Sequence, residues 1–340
     1  MLVSVIALFY IAILGKDILA PMLFGLLFSV LLLPVAKILE KRLRLHRSLA
    51  AFLSVLLLVI FAAGILYIIS SQFRGMRGDM PEYKRQLQAS MEDLQQWVFR
   101  IFHVNLTIQN NYMNVTATKI FADGPAMISS TIRSISFTLI FVLLILIDTF
   151  FLLFYRSLIV RFIIAVFKEE NSEVVKDIIA QVQHGIGQYV QGLLLEMVIV
   201  SSVCCLALWI LGIDYPVLLG LLTGLLNFIP YIGIFISLLL TIVVVFATAG
   251  LGKILLVIVV LFGIHLLDAN VLLPFIVGAK VRLNALISIM GVIIGGSIWG
   301  ISGAFLAIPV IAILKIIFDR INSLKPWGIL LGDGRIDMKV

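Results

Sequence analysis

Between Ile18 and Phe318 the chain carries a succession of apolar runs of about 20 residues or more, and this one feature decides the solvent in which it can fold. A hydrocarbon core about 30 Å thick needs about 20 helical residues to cross. Lipid offers no water to unpaired backbone, so only helices and closed barrels span it. Continuous rather than alternating apolar runs predict helices. Composition agrees, because 62% of the 340 residues are hydrophobic and 13% are charged, whereas soluble domains carry about 25% charged residues. A water-facing surface built from so few charges would expose apolar patches that soluble monomers do not tolerate. A water-soluble enzyme is therefore excluded, and the bilayer is the principal partner.

The runs predict an all-α polytopic membrane protein with about eight transmembrane helices. Leu2 to Leu14 is a short first segment, followed by Ile18 to Ala36 and Ser48 to Ser71, which makes 1–71 the first three helices. No charged leader with a short apolar core and a cleavage site opens the chain, so the first segment is expected to be retained. Residues 72–133 turn polar and predict a small extracytoplasmic insert. Within it Tyr83, Leu87, Met91, Leu94, Val98 and Ile101 recur at spacings of three and four, the mark of one amphipathic helix. Asn105 and Asn114 open triplets that match the glycosylation sequon, a pattern frequent by chance. Residues 134–155 form a fourth span. In the linker 156–188, Val174, Val175, Ile178, Ile179, Val182 and Ile186 make an apolar stripe opposite Glu173, Lys176, Asp177 and Gln181, as in a helix lying along the interface or against the bundle. Residues 189–318 hold the last four spans, Tyr189–Ile213, Val217–Ala247, Ile254–Leu273 and Leu283–Phe318, and 319–340 form a tail.

Cations set the orientation. Lys37, Lys41, Arg42, Arg44 and Arg47 make a basic knot that belongs in the cytoplasm, as do Arg156, Arg161, Lys168 and Lys176 of the linker. Counting eight crossings from there places both termini and Lys253 in the cytoplasm. Lys280 and Arg282 fall outside unless a long segment is re-entrant. The formal charge of +7 is thus explained by loop cations and gives no reason to expect nucleic acid as a partner.

The C-terminal spans are interrupted in ways that bear on function. Gly220, Gly224, Asn227, Pro230 and Gly233 follow one another within one apolar run; Pro230 removes a backbone donor and must kink or break the helix. Open backbone at bilayer depth survives only where protein buries it or water fills a cavity, and discontinuous helices of this sort build transporter sites. A second break is expected at Pro274. The last span carries Gly291, Gly295, Gly296, Gly300 and Gly303, whose four-residue spacing lets another helix approach to backbone contact.

Polar groups in hydrocarbon need a reason to be there. Asp148, Glu196, His265 and Asp268 are the ionisable candidates, with Asn227 and Asn270 as neutral ones; His265 and Asp268 are three apart and share a helix face. They can carry a coupling proton or cation, or neutralise one another. Cys204 and Cys205 are adjacent and have no partner Cys or His at metal-ligand spacing, so they read as packing residues and no metal is expected. Gly295-Gly296-Ser297 with His265 gives a superficial intramembrane serine-protease pattern, and Asp148 with Asp268 an aspartyl one, but neither has the flanking order such catalysis needs. No nucleotide-binding pattern is present either, and no enzyme activity or cofactor is expected.

The C-terminal half resembles the AI-2E family of transporters. The resemblance rests on Leu211-Gly212-Ile-Asp-Tyr-Pro216 with Leu219-Gly220, on Asn227-Phe-Ile-Pro230-Tyr-Ile-Gly233, on Asn270-Val-Leu-Leu-Pro274-Phe-Ile-Val-Gly278, and on the run from Gly295-Gly296 to Ala307-Ile-Pro309. Where family members often carry a Lys after the Pro of the penultimate span, this chain has Phe275. The resemblance implies a secondary transporter of the bacterial cytoplasmic membrane that exports a small polar solute resembling a quorum signal, or exchanges Na+ or Li+ for H+. The expected site is Glu196 and Asp268 around the break at Asn227, and glycine-mediated contacts favour a homo-oligomer. The other reading is a non-transporting membrane scaffold that recruits partners through its insert.

Overall fold

A computed structural model describes residue 7 and residues 10–78, 80–103, 137–229, 232–272, 275–276 and 283–332. Pro230, Pro274, Lys280, Arg282, Asn105 and Asn114 lie outside these residues, as does most of the first expected segment. The described chain is helical throughout. Its elements are α1 (Lys16–Arg42), α2 (Arg47–Gly78), α3 (Met80–Phe102), α4 (137–166), α5 (Ser172–Ile210), α6 (Pro216–Leu226), α7 (Ile232–Thr248), α8 (Leu251–Leu267), α9 (Ala285–Arg320) and α10 (Lys325–Leu331). Among them six helices are long and apolar enough to cross a membrane, and α6 and α7 are shorter apolar helices. The protein is an all-α polytopic membrane protein.

The hub is α5, 39 residues long, in which the amphipathic stripe expected as a separate linker helix runs without interruption into the fifth span. Nothing between Ile186 and Tyr189 breaks the helix: Gly187 there is only a close-packing position, its missing Cβ facing Val30 of α1. The N-terminal half of α5 packs Ile186, Tyr189, Val190 and Leu193 against Ala20, Leu27 and Val30 of α1 and Leu306 of α9. Its C-terminal half packs Val200, Cys204 and Leu208 against Leu219 of α6, Val245 of α7 and Val257, Leu261 and Ile264 of α8. A third cluster joins α1, α2 and α4 through Leu32, Ala36, Ala51 and Leu153. The bundle has two ends. One, the basic end, gathers Arg42, the Arg156–Glu40 ion pair and the Arg320–Asp177 ion pair at 2.7 Å. The other holds the turn after α5, where the Lys253 ammonium donates to the carbonyls of Leu211 (3.4 Å) and Gly212 (2.9 Å).

Two antiparallel hairpins replace what hydropathy reads as two long spans. In the first, α6 turns back along α5, and Gly220 and Gly224 permit contact close enough that a Cβ on either would meet the α5 backbone, at Ser201 O (2.9 Å) and Met197 O (2.7 Å) respectively. With 11 residues α6 is about 16 Å long, too short to cross. The chain reverses around Asn227, where Gly233 lies so near the Leu226 carbonyl that no side chain fits. From there α7 returns to the end it came from, bringing Val245 beside Leu208 and Ile213. Lys253 is therefore at the end opposite Arg42, not at the basic end where eight crossings would put it.

The second hairpin is α9. Trp299 (φ −124°, ψ 15°) and Gly300 (φ 62°, ψ −140°) leave the helical region, the latter in a conformation that only glycine adopts without strain. The arms 285–298 and 301–320 then fold together with Gly295 against Gly303 and Gly291 against Ile311. The glycine spacing expected to admit another helix thus admits the second arm of the same helix. Gly296 is looser, with Ala304 Cβ 3.7 Å from its missing Cβ, and Gly300 has open space around it. The open end of this hairpin is at the basic end, where the Asn284 N–H donates to Leu331 O at 2.9 Å. The hairpins face one another from opposite ends and meet where Phe228 packs edge-on against Phe305, ring centres 6.0 Å apart.

Candidate functional site

Glu196 lies on α5 between the two core clusters and is only 2% exposed. Two more polar residues arrive there from helix ends. Asn227 caps the C-terminus of α6 and is held there by its own N–H bonded to Thr223 O at 3.0 Å. Asp268 ends α8, where the α-helix widens into a π-helical turn, Asp268–Leu272, and is 3% exposed. Such turns interrupt the regular backbone ladder and are frequent at functional sites. The Asn227 amide nitrogen donates to Glu196 Oε1 at 3.0 Å and to Asp268 Oδ2 at 3.0 Å. One NH2 group carries two hydrogens, so a single amide bridges two carboxyl groups 72 residues apart in sequence.

Each carboxyl keeps one oxygen in reserve. Glu196 Oε2 and Asp268 Oδ1 are buried and have no hydrogen-bond partner among the described residues, and the same holds for both ring nitrogens of His265 and for Ser201 Oγ. His265, 4% exposed, stands one turn before Asp268 on α8 without bonding to it; Ser201 faces Gly224 of α6. An unpaired buried polar atom carries a desolvation cost of about 1–3 kcal/mol, so these five call for partners such as a proton, a water or an ion. The C-terminus of α6 adds the negative end of its dipole. Two acids and a helix C-terminus attract a cation or a proton and repel an anion. Among the described residues no three His, Cys, Asp or Glu side chains approach closely enough to chelate a metal ion.

The remaining candidates are elsewhere. Asp148, on α4, packs against Gly25 of α1. Asn270 is exposed and its amide donates back to Leu266 O at 2.7 Å. Thus the structure brings together Glu196, Asn227 and Asp268, with His265 adjacent, and leaves Asp148 and Asn270 apart. Ser201 escaped sequence reasoning, because a serine followed by Ser202 in an apolar run reads as a helix residue bonding its own backbone. Ser202 does so, to Val198 O at 2.7 Å, but Ser201 does not. Its signal was the small-residue partner Gly224 across the α5–α6 contact.

A crevice of about 420 Å3 opens between α1 and α5 at the basic end, lined by Lys37, Gln183, His184, Gln188 and Gln191 and by apolar Val30, Leu33 and Pro34. Its lining ends at exposed Gln191, five residues before Glu196 on α5.

The model of the family described as AI-2E family transporter matches residues 2–323. The chain is similar to "Putative transport protein YueF" of Bacillus subtilis (strain 168), at 29% identity over 89% of this chain and 84% of the relative. It is similar to "AI-2 transport protein TqsA" of Escherichia coli (strain K12), at 24% identity over 94% of this chain and 90% of the relative. A second Bacillus subtilis relative, "Putative transport protein YrrI", is 33% identical over 40% of this chain and 38% of its own length.

Proposed function

The chain belongs to the AI-2E family of transporters, and from that premise we propose that it is a secondary transporter of the bacterial cytoplasmic membrane, with both termini cytoplasmic, driven through a monovalent-cation or proton site at Glu196, Asp268 and Asn227. The observation that carries this reading is the Asn227 amide shared between two buried carboxyl groups. Two adjacent carboxylates at bilayer depth cannot both stay ionised unless something positive is bound between them. A proton on one acid, or Na+ or Li+ held by Glu196 Oε2 and Asp268 Oδ1 in their place, meets that need, and exchange of one for the other is the elementary coupling step.

Alternating access follows from the way the site is assembled. Glu196 belongs to the hub helix, whereas Asn227 rides on the reversal of the α6–α7 hairpin beside Phe228, which touches Phe305 of the opposing hairpin. A hairpin shift that separates Phe228 from Phe305 withdraws Asn227 from both acids. Site occupancy and hairpin position are then two readings of one equilibrium, as coupling requires. The solute moved by that equilibrium is a small polar molecule entering by the glutamine-lined crevice at the basic end; the relative TqsA, by its description, transports AI-2. Transport here is non-enzymatic and needs no cofactor, and the working unit is a homo-oligomer, read by native mass spectrometry of the purified protein.

The test is proton movement in proteoliposomes containing the purified protein, driven by an imposed Na+ or Li+ gradient. Wild type should move protons in exchange, and Glu196→Gln and Asp268→Asn should each reduce this to the level of protein-free liposomes. Both variants keep an oxygen acceptor for Asn227, so their expression and melting should stay close to wild type. Unchanged flux in both would overturn the assignment of the site.

A further inference from the structure

The apolar stripe of α5 faces something that transport at Glu196 does not use. Val174, Val175, Ile178, Ile179 and Val182 form one wall of a cavity of about 680 Å3 at the basic end, closed on its other sides by α1, α4 and the last turns of α9. This volume is that of a ligand site rather than a packing defect, since small-molecule sites span about 300–1,000 Å3. The walls are aliphatic: Leu26 and Leu33 from α1, Leu153 and Ile163 from α4, Ile313 and Ile317 from α9. Phe167, just after α4, borders it and is exposed, as are Leu158 and Phe162 on α4, side chains suited to hydrocarbon. A water-soluble solute gains nothing from such walls, whereas an acyl chain does, at about 0.8 kcal/mol for each CH2 buried.

The polar rim is cationic. Arg156 and Arg320 both border the cavity. Arg156 gives Nη2 to Glu40, but its Nη1 is buried with no partner among the described residues, as are Nε and Nη2 of Arg47. Arg47 is within electrostatic reach of Arg156, Arg161 and Glu40. Three guanidinium groups are thus gathered around one carboxylate, Glu40, whose Oε1 is itself buried without a partner among the described residues, and of the three Arg156 borders the cavity. Aliphatic walls below and surplus guanidinium above are the two halves of a phospholipid with a negative headgroup, and basic pockets between transmembrane helices bind such headgroups.

We infer that the cavity between α1, α4, α5 and α9 is a binding site for one anionic phospholipid, with an acyl chain along the Val174–Val182 stripe and the phosphate on Arg156, supported by Arg47. The site is separate from Glu196 and Asp268, so the inference stands whether or not those acids couple transport. It gives the α5 stripe its role: the face remains apolar because a lipid chain, not another helix, completes its packing.

The experiment is native mass spectrometry of the full-length protein released from nanodiscs made with equal amounts of phosphatidylglycerol and phosphatidylcholine. Wild type should retain one phosphatidylglycerol per protomer in preference to phosphatidylcholine. Arg156→Gln should lower that preference about fivefold, the effect of one basic residue near an anionic headgroup, and Arg156→Lys should retain most of it. Ile179→Trp, which fills the cavity and leaves the rim intact, should lose the bound lipid of both kinds. The double variant Glu40→Gln/Arg156→Gln removes the ion pair without stranding Glu40 and should behave as Arg156→Gln does. Equal retention of the two lipids by wild type would overturn the inference, as would undiminished phosphatidylglycerol in Ile179→Trp. Displacement of the lipid by millimolar inorganic phosphate would also overturn it, in favour of a free-anion site.

Discussion

Asn227→Leu should be the most damaging single substitution in the site, abolishing transport and costing about 3–5 kcal/mol of stability, the range seen when one partner of a buried charged network is removed. Leucine keeps the γ-branched skeleton of asparagine, with bulkier methyl groups in place of the amide, so the chief loss is electrostatic. Both acids then lose their donor together, adding to the reserve oxygens already without partners among the described residues. The diagnostic is non-additivity. In a Glu196→Gln/Asp268→Asn background the leucine should cost about 1–3 kcal/mol, because only neutral acceptors are left unpaired. Unfolding in mixed SDS–detergent micelles measures both values. Equal costs in the two backgrounds would show that Asn227 serves packing and not the acids.

The second large effect is expected in α9, where Gly303→Ala should separate the arms of the hairpin and Gly296→Ala should leave them in place. A Cβ on Gly303 runs into the Gly295 carbonyl oxygen, a backbone atom that cannot rotate aside, whereas a Cβ on Gly296 would find Ala304 Cβ at an ordinary 3.7 Å. Overpacking costs about 1–3 kcal/mol where side chains can yield, and Gly303→Ala should reach the upper part of that range or exceed it. Gly296→Ala should stay within about 0.5 kcal/mol of wild type. The same unfolding assay compares the two, and similar values for both would mean that the arms are not held by the Gly295–Gly303 contact.

These two predictions show what was legible beforehand. Glu196, Asp268 and Asn227 stand out in sequence because charge and amide are costly in apolar runs, and Asn227 is flanked by helix-breaking residues. Their meeting on one NH2 group was not legible, since it depends on α6 stopping after 11 residues and α8 ending at Asp268, which are tertiary outcomes. Asp148 shows the converse. It carries the same hydropathic signal but spends it against Gly25 of α1. The α9 hairpin hid for another reason: glycines at a spacing of four read identically whether the helix approached is a neighbour or a later part of the same run. Only the backbone at Trp299 and Gly300 separates the two, and hydropathy averages over it.

The hairpins also change the parity of the chain. A helix that crosses moves everything after it to the other side, whereas one that turns back moves nothing. Counting each long apolar run as a crossing put Lys253 with the basic knot and made Lys280 and Arg282 exceptions to the inward bias of cations. With α6–α7 and α9 both turning back, Lys253 goes to the end away from Arg42, bound to Leu211 and Gly212. Asn284, two residues beyond Arg282, comes to the basic end beside α10. Removing two crossings thus changes which cations stand apart, Lys253 now being away from the basic end, and misfit cations in a hydropathy plot become a cheap sign of helices that enter a membrane and leave by the side they came from.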